Sequence, residues 1–177
     1  MDAAELKALA HQVAEGALSP DDLVNRMHMD AVTDLGYAQV DHARGVRTGV
    51  NEIIYGAGKT PEQIAGIVAA MREAGQTRVL ITRVDAQKAA ELAEMDPAIT
   101  YHAAAQACVA GDVPEPDGNG DILIITAGTS DLPVAEEAAL TARFLGNRVQ
   151  VVHDAGVAGI HRLLSHGEEI ASAQVII

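Results

Sequence analysis

The chain opens on a helical repeat of apolar positions. Leu6, Leu9, Val13 and Ala17 recur three to four residues apart across residues 2–18, which is the spacing of one helix face. Ser19-Pro20-Asp21-Asp22 then supplies a cap, a proline for the first turn and two acids at the positive end of a second, short helix through Met27. Residues 36–49 show no period and read as polar and irregular, and residues 51–55 read as a strand. Thr60-Pro61-Glu62-Gln63 is a capping box with proline at the first helical position, so a helix should run to Ala74 and stop at Gly75. The β-branched run 77–84 predicts a strand, and residues 85–95 predict a helix ended by Asp96-Pro97. Residues 98–111 are ambiguous: Ile99, Thr100 and Tyr101 favour strand, while the alanines favour helix.

Residues 111–120 are rich in Gly, Pro and Asp and read as a linker. Beyond it the pattern changes to a βαβαβ rhythm. Residues 121–126 form an almost unbroken apolar run, as in a strand buried on both faces of a parallel sheet. Residues 132–145 predict a helix closed by Gly146, residues 148–153 a strand, residues 160–170 one helix, and residues 173–177 the start of a third strand. The expected organisation is therefore a front α/β domain over residues 1–110, a linker over 111–120 and a second domain over 121–177. A three-stranded parallel unit is a thin core with an open apolar edge, so the second domain is expected to be the first part of a larger, truncated one.

Composition supports the α/β class. Among the 177 residues only Tyr37, Tyr55, Tyr101 and Phe144 are aromatic, and the apolar half is mainly aliphatic. A formal net charge of −13 argues against a nucleic-acid partner, which would need a basic face. Cys108 is the only cysteine, so no intrachain disulfide or cysteine-based zinc site can form, and its alanine neighbours suggest a small buried packing residue. No apolar run approaches membrane-spanning length, no signal peptide is evident, and the cytoplasm is the expected compartment.

Three segments could carry chemistry. Ala127-Gly128-Thr129-Ser130-Asp131 follows the apolar strand and opens a helix, where free backbone N–H groups and the positive dipole end attract anions. Thr129 and Ser130 would add hydroxyls and Gly128 would allow close backbone approach; equally, Ser130 or Asp131 would serve simply to cap the helix. One βα unit later, His161-Arg162 begins the next helix after a loop of small residues, either facing Ser130-Asp131 as a phosphate and acid/base site or lying solvated beside a capping loop. Arg44, Arg47 and Lys59 make up a quarter of the 12 Lys and Arg residues and lie in loops, as a modest anion site or as ordinary solvated charges. Gly58-Lys59-Thr60 lacks the earlier glycine of a phosphate-binding P-loop, and the histidines show no metal-ligand spacing.

Gly128-Thr129-Ser130-Asp131 and His161-Arg162 resemble the paired turns of the aminoimidazole ribonucleotide carboxylase/mutase (PurE-like) family. In that family a Gly-Ser-x-Ser-Asp turn is joined to a Ser-Ala-His-Arg turn. Here the first serine is missing and Ala158-Gly159-Ile160 precedes His161. Together with the runs 41–49, 52–54, 58–60, 126–138 and 154–163, these departures make residues 31–177 similar to the LarB family of nickel-pincer cofactor biosynthesis.

The resemblance implies a small mixed α/β N-terminal domain and an incomplete flavodoxin-like, PurE-like three-layer domain. It implies carboxylation of the pyridinium ring of nicotinic acid adenine dinucleotide, with hydrolysis of the pyrophosphate and release of AMP. In that chemistry a cysteine thiolate adds to the electron-poor ring, the resulting enamine carbon attacks carbon dioxide, and loss of a proton and of the thiolate restores aromaticity. The family's cysteine would lie beyond Ile177, so these 177 residues alone are expected to be inactive. Asp131 and His161 are the implied catalytic residues, and Gly128, Thr129, Ser130, Arg162, Arg44, Arg47 and Lys59 the implied substrate and phosphate ligands. No tightly bound cofactor is implied; magnesium is the one candidate metal, carbon dioxide or bicarbonate the co-substrate, and a homo-oligomer, an octamer in the complete family member, the expected assembly. An aminoimidazole ribonucleotide carboxylase or mutase, and a non-catalytic nucleotide-binding module, are the alternatives.

Overall fold

The computed structural model describes residues 3–29 and 32–177. Two helices, α1 (Ala3–Ala14) and α2 (Pro20–Met29), lead into a hairpin of β1 (Val32–Asp34) and β2 (Gln39–Asp41). Ser19 starts α2 through its hydroxyl, which accepts the Asp22 amide at 3.0 Å and donates to the Asp22 carboxylate at 2.7 Å. A short helix, α3 (Arg44–Thr48), follows.

The front sheet holds β3 (Ile54–Tyr55), β4 (Val79–Thr82), β6 (Ala107–Ala110) and β5 (Ile99–His102), in the spatial order β3-β4-β6-β5. β3 and β4 are parallel and joined by α4 (Pro61–Glu73); β4 precedes α5 (Ala86–Met95), and the remaining pairs are antiparallel. The alternation of side chains along a strand divides this sheet into two faces. Val79, Ile81 and Cys108 pack under Ile64, Ile67, Val68 and Met71 of α4 and Leu92 of α5. Leu80, Ala107 and Val109 point the other way, onto Leu140 and Phe144.

Those last two residues belong to α6 (Leu132–Phe144), which follows β7 (Asp121–Ile125). β7, β8 (Arg148–Val152) and β9 (Val175–Ile176) form an all-parallel sheet in the order β8-β7-β9. Helix α6 therefore serves two sheets with two stripes. Ala135 and Ala139, four residues apart, lie against Ile124 of β7, while Leu140 and Phe144, also four apart, close the front sheet. Burying each of the latter two contributes about 1.5–3 kcal/mol. The Arg83–Glu137 ion pair at 2.7 Å and Arg78, 5.7 Å above the Phe144 ring, hold the same junction. On the far face of the second sheet, α7 (Ile160–Leu164) and α8 (Gly167–Ser172) bring Leu163 and Ile170 onto Leu123 and Val152. β7 is covered on both faces, which accounts for its apolar run.

Three expectations change. Residues 36–49 are ordered rather than irregular: the Asp34 carboxylate accepts the Gly36 amide at 2.7 Å, the Leu35 amide reaches the Ala38 carbonyl, and this closes the β1–β2 turn. Its three-residue strands are too short to show a period. Residues 98–111 form the β5–β6 hairpin, turned at Gln106 with φ 47°; the alanines fill space in a strand buried on both sides. The single helix expected over 160–170 is broken at Ser165-His166, where the Ser165 hydroxyl turns back to the Arg162 carbonyl and His166 faces Glu169 at 3.2 Å. The segment 111–120 carries no helix or strand and is anchored by Asp117 and Gly118 amides on the Gly146 carbonyl.

Candidate active site

The parallel sheet aims its strand ends at one edge. The chain leaves β7 through Thr126, whose amide donates to the Val152 carbonyl at 2.9 Å and whose carbonyl accepts the Ala155 amide at 2.9 Å. These bonds tie the loop after β7 to the loop after β8. Gly156 presses against Ala127: a Cβ built there would lie 2.9 Å from the Ala127 carbonyl oxygen. The adjacency expected of two consecutive parallel strand ends is present at the level of the backbone.

Thr129–Asp131 form a 3-10 turn before α6. Neither Ser130 nor Asp131 caps α6 with its side chain. Instead the Asp131 carboxylate turns back to accept the Gly128 amide at 3.0 Å, and the Ser130 hydroxyl stands 3.5 Å from its other oxygen. Gly128 is extended, with φ −151°, and nothing lies within 4 Å of where its Cβ would be. It leaves open space at the mouth of the turn.

Between the ends of β7 and β9 and the first turns of α6 lies a crevice of about 320 Å³. Ile124, Thr126, Ser130, Asp131, Val134 and Ile177 are among its lining residues. The connection from β7 runs to one neighbour and the later strand β9 returns to the other side, so this is the topological switch point of the sheet, where open α/β folds bind ligands. Thr126 was not singled out by its sequence. It is 6% exposed, and its hydroxyl oxygen has no hydrogen-bond partner within the protein. A lone polar residue closing an otherwise apolar strand was the available signal.

His161 and Arg162 begin α7, which covers the face opposite α6. Neither lines the crevice. Arg162 forms an ion pair with Asp154, itself held at φ 55°, and lies against Gly159, while His161 is exposed. His153, at the end of β8, faces Glu136 of α6 at 3.7 Å.

The candidate cations of the front part of the chain lie on α3 and in the loop after β3. Lys59 donates to the Tyr55 carbonyl at 3.0 Å, and Lys88 to the Gly56 carbonyl at 2.9 Å. Arg44 is exposed at the start of α3, and the side chain of Arg47 lies outside the described part of the structure. Among the described residues no hydrogen bond or ion pair joins Arg44 or Lys59 to the turn 128–131. The loop containing them is tied internally: the Asp41 amide donates to Glu52 at 3.0 Å, and buried His42 meets the Thr33 hydroxyl at 2.8 Å. A wider opening of about 720 Å³ between α1, α2, β1 and the end of α4 mixes Arg26 with Glu5 and Glu73 and includes none of the residues of either candidate turn.

Cys108 is fully buried in β6, and that burial pushes its thiol up to about 11. It is a packing group, not an activated nucleophile. Among the described residues no three His, Cys, Asp or Glu side chains converge as metal ligands, and no helix is long and apolar enough to cross a membrane.

Residues 32–112 match the LarB/PurE-like N-terminal domain. The chain is also 30% identical over 165 residues to an uncharacterized protein of Methanocaldococcus jannaschii, an alignment covering 89% of this chain and 64% of the archaeal protein. The chain thus spans a little under two thirds of that relative's length.

Proposed function

We propose that this chain, whose residues 32–112 match the LarB/PurE-like N-terminal domain, binds nicotinic acid adenine dinucleotide for carboxylation of its pyridinium ring and hydrolysis of its pyrophosphate. The observation that carries this reading is the crevice at the β7/β9 switch point, with Ser130 and Asp131 at its mouth and the loop after β8 bonded alongside through Ala155. At its mouth the Asp131 carboxylate orients a ribose hydroxyl and the Ser130 hydroxyl takes a phosphate oxygen that stays outside the apolar part, while the Arg162 guanidinium, off the crevice, reaches the same phosphate from the start of α7. His161 donates to the same phosphate or carries a proton, and Gly128 and Thr129 let the backbone approach. Arg44, Arg47 and Lys59 meet the distal phosphate and adenylate from the front domain. Carbon dioxide or bicarbonate is the co-substrate, magnesium accompanies the pyrophosphate, and subunits associate as homo-oligomers.

In the chemistry that the resemblance implies, a thiolate adds to the ring first and breaks its aromaticity. Cys108, the only cysteine in the sequence, is buried and protonated at neutral pH and cannot supply it. The 177 residues are therefore expected to bind the dinucleotide without turning it over. Calorimetric titration with nicotinic acid adenine dinucleotide and with aminoimidazole ribonucleotide, followed by mass analysis after incubation with magnesium and bicarbonate, tests this. Preferential binding of the dinucleotide with no carboxylated product is expected. Tighter binding or carboxylation of the aminoimidazole compound would move the chain to the purine-type reaction, and a carboxylated pyridinium product would refute the nucleophile argument.

A further inference from the structure

Thr126 occupies a position that its chemistry does not explain structurally. Along β7, Ile124 packs on α6, and a period of two sends the Thr126 side chain to the same face, at the carboxyl end of the strand beside the first turns of α6. There it lines the crevice with Ser130 and Asp131. Its hydroxyl is shielded from solvent and has no partner, in a place where valine would fill the same volume without leaving a polar group unsatisfied. A turn of about 120° about χ1 exchanges the hydroxyl with the methyl group. The remaining lining is mostly Ile, Val and Ala, and Asp131 is the only charged side chain in it. Apolar walls with one carboxylate suit a flat cationic ring and disfavour a phosphate.

We propose that Thr126 is a ligand-binding residue, whose hydroxyl donates to the exocyclic oxygen of a cationic pyridinium ring seated in the β7/β9 crevice. The inference rests on the dinucleotide reading above and deepens it: the mononucleotide half occupies the crevice and the adenylate half lies outside.

The test compares the wild-type chain with Thr126→Val and Thr126→Ser by titration with nicotinic acid mononucleotide and, separately, AMP, alongside thermal unfolding. Thr126→Val should weaken mononucleotide binding about tenfold, the usual consequence of losing one net hydrogen bond to a charged group. It should leave AMP binding unchanged and the melting temperature equal or higher, because no protein hydrogen bond is lost. Thr126→Ser should restore mononucleotide binding. Unchanged mononucleotide affinity in Thr126→Val overturns the assignment, as does a lowered melting temperature, which would mean that the hydroxyl is held structurally. If the wild-type chain binds the dinucleotide and AMP but not the mononucleotide, the assignment of the ring to the crevice fails while the dinucleotide reading stands. If it binds none of the three, the reading itself fails and takes the inference with it.

Discussion

Gly156→Ala tests whether the two strand-end loops must touch for the site to exist. The backbone at Gly156 has φ −63° and ψ 144°, a conformation open to any residue, so the substitution carries no dihedral strain. Through the unfolded chain alone it would stabilise by about 0.4–1 kcal/mol. Against this stands one contact: the new Cβ would lie 2.9 Å from the Ala127 carbonyl oxygen and 3.6 Å from its carbon and Cα. The neighbour is backbone, pinned by the flanking Thr126 bonds to Val152 and Ala155, so it cannot swing aside like a flexible side chain. Overpacking of this kind costs about 1–3 kcal/mol, and the steric loss outweighs the entropic gain. A net destabilisation of about 1–2 kcal/mol is expected in urea unfolding, with an unchanged m-value. The displaced loop should also weaken binding of nicotinic acid adenine dinucleotide. Gly128→Ala is the counterpart, extended with open space around it: its stability should match the wild type within about 0.5 kcal/mol, while binding falls if the ligand approaches that backbone. A Gly156→Ala protein as stable as the wild type, with unchanged affinity, would refute the close approach of the loops and its part in the site.

Other outcomes follow from the junction and from the buried thiol. Phe144→Ala empties a position that is 6% exposed and shared by α6 and the front sheet, so it should cost about 3–5 kcal/mol; tyrosine fluorescence, which reports Tyr37, Tyr55 and Tyr101 in the front part, should shift its urea midpoint with far-UV circular dichroism, and a loss below about 1 kcal/mol would show that the sheets are not joined there. Cys108 should resist thiol reagents at pH 8 until the protein is unfolded, and rapid labelling of the native chain would contradict its burial. Its folded value of about 11 lies above the ordinary 9.0, so the neutral thiol contributes stability that is present below pH 9 and lost as pH rises towards 11. The loss should reach about 2 kcal/mol. Cys108→Ala should remove that alkaline sensitivity, and an unchanged alkaline slope would refute the assignment.

Local chemistry made parts of this chain legible from sequence alone. Thr60 and Gln63 exchange both bonds of their capping box, because the partners are three residues apart and need nothing else. The apolar run of β7 and the helix that follows are legible for the same reason: covering a strand on both faces leaves no room for alternation. The residues Gly128 to Asp131 and His161-Arg162 are recognisable as turns at strand ends. Which way their side chains face is not, because that depends on partners far along the chain. Arg162 turns to Asp154, and Asp131 folds back on Gly128 instead of capping α6. The β5–β6 hairpin needed β4 as a neighbour before its alanines could count as strand, and the second stripe of α6 has meaning only once the front sheet lies against it. The order β8-β7-β9 was decided at the same level, since no local period records on which side of β7 a later strand will pair. That order opens the crevice beside Thr126, and only there does a buried hydroxyl without a partner become visible as a feature of the site.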